Sequence, residues 1–200
     1  MFTSGSTPGT IDWASAGAKV ELPDSTADVP KFSFPLTIDN RRSALLGPDH
    51  LPDPSAPPDE CSFHPMANGD VLETGEMPNL DLPGHPVRPY EEVWRRLPLP
   101  GGPGGPGMAC VFLESVGPTE RTYVGRCGPW ELGLRDGAQG FWGWRYDQQP
   151  GGTWREVHVV GEEQARAGIP RLPEEGLPGA KEGETIEWEG RTWLVKENSQ

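Results

Sequence analysis

A period of two in the hydrophobic and polar positions begins near Tyr90 and runs almost to the C-terminal end. In Arg88–Arg95, the residues Tyr90, Glu92 and Trp94 alternate with Glu91, Val93 and Arg95, and Met108–Glu114 is apolar on both faces, as a central strand is. Arg121–Arg126 follows. In Trp130–Arg135, Trp130, Leu132 and Leu134 oppose Glu131, Gly133 and Arg135; in Gly140–Tyr146, Trp142, Trp144 and Tyr146 share one face. Trp154–Val160 comes next, and Thr185–Glu189 with Arg191–Lys196 closes the series as a hairpin about Glu189–Gly190. Eight short strands at this spacing predict a mainly β fold, an antiparallel sandwich or up-and-down barrel. Eight is also the number at which a barrel either fills with side chains or holds one small ligand. Gly161–Gly168 alone reads as helix, two turns at most.

Upstream the pattern thins. Lys19–Leu22 and Lys31–Ile38 alternate like strands, while Asp12–Trp13 and Val71–Glu73 are fragments, so the first 85 residues offer three or four strands. That is too few to close a barrel. Trp13, Val20, Leu22, Phe32, Phe34, Leu36 and Ile38 need cover without making a core, and this sheet is expected to lean on the C-terminal one and to exchange its amide hydrogens faster. Pro and Gly punctuate residues 3–10, 47–58, 97–107 and 169–183 as loops. The organisation expected is therefore an incomplete β-domain over 1–85, then an eight-stranded barrel over 86–200.

Composition sharpens this picture. With 27 Gly and 24 Pro and few aliphatics, the chain approaches the composition of disorder, but eight Trp supply large buried areas from few residues. The net charge of −13 is spread over both halves and leaves no basic stripe, so nucleic acid is not an expected partner. No apolar run reaches the ~20 residues of a spanning helix, and the first residues lack the n- and h-regions of a secretory signal. Cys61, Cys110 and Cys127 are odd in number with no C-x-x-C. They are expected to be reduced thiols in an intracellular setting.

Candidate chemistry is sparse. His50, His64 and His85 lie in Pro-rich surroundings, no Ser sits in a G-x-S-x-G elbow, and a nucleophile, base and orienting group do not come together. Adjacent carboxylates such as Glu91–Glu92 and Glu162–Glu163 point to opposite faces of a strand and read as solvated acid. Cys61-x-x-His64 has ligand-like spacing but no second pair, so neither a metal nor a cofactor is expected. The aromatic set carries more weight. Trp130, Trp142, Trp144, Tyr146 and Trp188, with Leu132, Leu134 and Ile186, fall on faces that alternation assigns to a buried side; His158 shares a register with Trp154 and Glu156. These rings either fill a barrel poor in aliphatics, line a cup for a small apolar or aromatic ligand, or stand exposed as platforms for a sugar or protein.

Two stretches add a resemblance. NGDVLETGEMPN (Asn68–Asn79) leads through Gly84 into PYEEVWRRL (Pro89–Leu97), and Ile169–Pro170 precedes GETIEWEGRTWLVKE (Gly183–Glu197). Together they resemble a fungal family of lipocalin-like proteins named for association with a casein-kinase-I-type protein kinase. RTYVGRCGPWELGL and GGTWREVHV are similar to the family's barrel strands, and the likeness extends over residues 10–197. It implies two lipocalin-like barrels in tandem, no enzymatic activity, a protein partner that includes such a kinase, and a cytoplasmic or nuclear setting. The family carries further strands upstream of Ile11–Ile38, so the N-terminal barrel is expected to be incomplete here.

Overall fold

Alternating residues turn most of the chain into short strands. A computed structural model describes residues 2–4, 11–41, 58–79, 81–95, 108–115, 117, 120–138, 140–161 and 169–199. In chain order the strands are β1 (Phe2–Ser4), β2 (Ile11–Gly17), β3 (Val20–Glu21), β4 (Lys31–Phe34), β5 (Leu36–Asp39), β6 (Asp59–Pro65), β7 (Val71–Pro78) and β8 (Val87–Trp94). They continue as β9 (Cys110–Ser115), β10 (Glu120–Cys127), β11 (Trp130–Gly137), β12 (Trp142–Gln148), β13 (Trp154–Gly161), β14 (Thr185–Trp188) and β15 (Arg191–Asn198). The mainly β, antiparallel architecture read from the sequence is present. The chain forms two units, one of residues 1–16, 38–51 and 100–200 and one of residues 17–37 and 52–99.

The first unit is built on a seven-stranded antiparallel sheet in the order β13-β12-β11-β10-β9-β15-β14. Among the described residues no ladder joins β13 to β14. Eight strands were expected in this set, and the difference is β8, which pairs instead with β7 over Val71↔Trp94 to Pro78↔Val87. Local hairpin pairing across Asn79–Pro86 wins over the longer Gly/Pro-rich connection to β9, because closing a short loop costs less entropy. The hairpin of β14 and β15 forms as read: Glu189 and Gly190 both have positive φ (50° and 71°), the type I′ pattern that matches strand twist.

One face of this sheet carries the main core: Val111, Leu113, Val124, Trp142, Trp144, Trp193 and Val195, closed over by Ile169 and Leu172. On the other face Leu134 packs with Ala14 and Ile38, with Tyr123, Phe141 and Val160 around them. The three-stranded sheet β1-β2-β5 thereby covers part of that face. Residues 162–168 of the expected helix lie outside the described residues, while Gly161 ends β13.

The expectation of three free thiols is corrected. Cys110 and Cys127 are register partners across β9 and β10 with Cα atoms 4.2 Å apart, and they form a disulfide. An odd count leaves one cysteine over without preventing the other two from pairing, and the ladder places them opposite each other. Cys61 is free and buried.

The second unit is a five-stranded antiparallel sheet, β3-β4-β6-β7-β8. Its β6, DECSFHP, was not legible as a strand because four of its seven residues are polar or charged and a proline ends it. No helix among the described residues is long and apolar enough to cross a membrane.

Candidate functional site

The residues expected to form a cup are divided by the sheet. Register sets Trp142 opposite Arg135, Trp144 opposite Gly133 and Tyr146 opposite Glu131, so the aromatic face of β12 adjoins the polar face of β11. Trp142, Trp144, Tyr146 and Trp188 belong to the main core, and Leu134 to the cluster on the opposite face. Trp130 and Leu132 share that opposite face, opposite Asp147 and Arg145. His158 joins them there, because a bulge at Val157 breaks the alternation: Glu156 pairs with Tyr146, but His158 pairs with Arg145. The shared register with Trp154 and Glu156 is thus interrupted.

Glu131 turns inward because cations meet it there. It is 0% exposed and accepts from Arg126 (Nε 3.0 Å and Nη2 2.7 Å to Oε2), from Arg171 (Nε 2.9 Å to Oε1 and Nη2 3.1 Å to Oε2) and from the Leu172 backbone N–H (3.0 Å). Arg126 also donates to the carbonyls of Leu172, Pro173 and Glu174. The Arg171 guanidinium lies 3.9 Å from the Tyr146 ring centre, 5.3 Å from Trp154 and 5.8 Å from Trp144. Gly133 makes the arrangement possible, since a Cβ there would stand 2.5 Å from the Trp144 ring and 2.6 Å from Ile169. The chain's own segment 169–172 therefore occupies the aromatic face that sequence alternation offered to a ligand.

The second unit holds a cluster that alternation had only half exposed. Tyr90, Glu92 and Trp94 on β8 face Glu73 and Gly75 on β7 and Asp59 and Cys61 on β6. Glu73, 3% exposed, accepts from the Tyr90 hydroxyl at 2.9 Å and from Trp94 Nε1 at 2.6 Å. The same hydroxyl lies 3.3 Å from both oxygens of Asp59. Gly75 lets the ring cross the strand, a Cβ there standing 2.7 Å from it. Burial raises the pKa of Asp59, with the charge of Glu73 adding to it and the Tyr90 hydrogen bond opposing. Burial likewise raises Glu92, helped by Glu73 and Asp59, and pushes the Cys61 thiol up to about 12. The Tyr90 hydroxyl is raised by burial and by its bond to Glu73. Such a thiol stays protonated at neutral pH and is a poor nucleophile.

His64 and Cys61 lie on opposite faces of β6, and His64 Nε2 is 3.2 Å from the Thr74 hydroxyl. Among the described residues no group of three or more His, Cys, Asp or Glu is placed to hold a metal ion.

The model of a family described as Protein HRI1 matches residues 2–197. Among solved structures, an uncharacterised protein of Saccharomyces cerevisiae, YLR301w, is similar at 17% identity and a TM-score of 0.67, over 95% of this chain and 80% of that one. At that identity the likeness concerns the fold. A search of curated proteins finds no match.

Proposed function

We propose, from the premise that the chain belongs to the Protein HRI1 family, that it is a non-enzymatic binding or adaptor protein. Its partner is a protein, and a casein-kinase-I-type kinase is the first to test, as the resemblance in Asn68–Leu97 and Gly183–Glu197 implies; the setting is cytoplasmic or nuclear. The observation that carries this reading is the occupied aromatic face of the first unit. Ile169, Arg171 and Leu172 take the place a carried ligand would take, and Glu131 has its hydrogen bonds supplied from within the chain. Function then falls to outer surfaces. The test is titration of the 200-residue chain with a purified casein-kinase-I-type catalytic domain, followed by calorimetry. A saturable complex is expected, and no heat at tens of micromolar would overturn the kinase assignment. Carriage of a small apolar ligand would instead appear as saturable quenching of Trp fluorescence.

A further inference from the structure

Strand β8 is the last strand of the five-stranded sheet, and among the described residues nothing pairs with its outer edge. Which backbone groups it leaves free follows from the ladder. The Asn79 N–H donates to the Pro86 carbonyl, so the pair 79:86 is of the hydrogen-bonded type, and pairs alternate from there. Arg88, Tyr90, Glu92 and Trp94 then bond to β7, while Val87, Pro89, Glu91 and Val93 turn their backbone outward. Pro89, which has no N–H to give, falls in the outward set as it must. The same residues are exposed, Val87 at 61% and Val93 at 59%.

Glu91 lies beside Thr74, and Glu76 stands directly opposite Glu60, all three carboxylates exposed on the face that Val93 shares. Like charges directly opposed on a sheet destabilise it, and among the described residues none of these three forms an ion pair, while Lys31, which shares the face through its partner Ser62, is held by Asp24. A free edge eight residues long, two exposed valines and an uncompensated acidic face form one surface.

We infer that β8 is a docking edge that takes an extended basic segment of a partner protein as an added antiparallel strand. The added backbone would bond to the outward groups of Glu91 and Val93, β-branched side chains would lie beside Val87 and Val93, and a Lys or Arg beside Glu91. A second copy of the chain fits worse, since two-fold pairing about Glu91 or about Tyr90 joins one acidic face to another on the same side of the sheet. The inference rests on the adaptor reading and names the partner's chemistry.

The test uses the 200-residue chain and an end-blocked peptide Val-Thr-Lys-Thr-Thr-Thr-Val, which sets Val, Lys and Val on one face opposite Val93, Glu91 and Val87, with the same peptide carrying Glu in place of Lys as the acidic control. Amide exchange by NMR is expected to slow at least tenfold at Glu91 and Val93 with the basic peptide and not with the acidic one. Val93→Pro removes a single outward donor and leaves the β7 ladder intact, and it is expected to weaken binding at least tenfold. Glu91→Lys, an exposed change, is expected to do the same if the proline variant fails to fold. Unaltered binding by both variants, protection elsewhere, or concentration-dependent protection without peptide, which means self-pairing, each overturns the inference. A Val93→Pro chain that still binds the kinase overturns the edge and leaves the adaptor reading standing. An edge that binds the basic peptide in a chain that binds no protein does the reverse.

Discussion

Two glutamates, equally hidden from water, are treated in opposite ways by the two units. Glu131 in the first unit is met by two guanidinium groups and a backbone N–H. Glu73 in the second is met by the neutral donors Tyr90 and Trp94, with Asp59 and Glu92 beside it, each raised in pKa by burial and then by the charge of Glu73. A buried charge must be paired or richly hydrogen-bonded to persist. The first unit meets the requirement with cations that tie β10, β11 and segment 169–172 together. The second meets it with aromatic donors and holds an excess of negative charge. The first site is therefore a structural clasp, whereas the second responds to protons.

The largest test of this contrast is to neutralise each carboxylate. Glu131→Gln strands the buried Arg126 while the partly exposed Arg171 can turn to water, and breaking such a buried pair costs about 3–5 kcal/mol. Glu73→Gln keeps an acceptor for one of its two donors and should cost about 1–3 kcal/mol, the range for one unsatisfied buried group. Denaturant unfolding gives the totals, and exchange resolved by segment shows which unit loosens. Equal losses would dissolve the distinction.

Next comes the disulfide, which lies in the first unit while the second has a free thiol. Its partners are 17 residues apart, a loop for which the chain-entropy estimate gives about 3 kcal/mol. Reduction, or the pair Cys110→Ser with Cys127→Ser, should lower the melting temperature of the first unit by several degrees and leave exchange in Asp59–Trp94 unchanged. Smaller again are the two glycines that admit a ring across a strand. Gly133→Ala must displace Trp144 or Ile169 from a closed core and should cost about 1–3 kcal/mol. Gly75→Ala meets only the half-buried Tyr90 ring, so its loss should be the lesser of the two and should appear in the second unit.

Much of this was legible and some was not, for reasons that individual residues show. From Cys110 onward the strands follow from period-two alternation, and Glu189–Gly190 announces its turn. The orientation of β11 does not follow, because Leu132 and Leu134 look like its buried side. Only the approach of Arg171, forty residues away, and the room Gly133 leaves for Trp144 turn Glu131 inward. His158 is displaced by a bulge of one residue, which alternation has no means of locating. In the second unit alternation sets Tyr90, Glu92 and Trp94 on one face and reads Val71–Glu73 as a fragment. The missing information was the ladder that brings residues 17 apart into a hydrogen bond. The pairing of Cys110 with Cys127 is likewise a fact of register.

The finest contrast is in the response to pH. Asp59 and Glu92 have pKa values raised by burial, so the folded second unit binds more protons than the unfolded chain between the ordinary carboxylate range and the raised values. Stability from these two groups is therefore gained on acidification and lost as pH rises through that window. Glu73 gives a local reason, since its charge stands beside Asp59, while the opposing Tyr90 hydroxyl reaches Asp59 only at 3.3 Å against 2.9 Å to Glu73. The Asp70–Arg95 pair works in the opposite sense, since Arg95 lowers the Asp70 pKa and that contribution disappears as pH falls. The measurement is accordingly a difference. The double variant Asp59→Asn, Glu92→Gln should be more stable than the parent at neutral pH, with the gain shrinking as pH falls toward 4, while Asp70 cancels between the two proteins. A gain that stays constant with pH would mean that the acids of the second unit share no excess charge, and the contrast with Glu131 would rest on geometry alone.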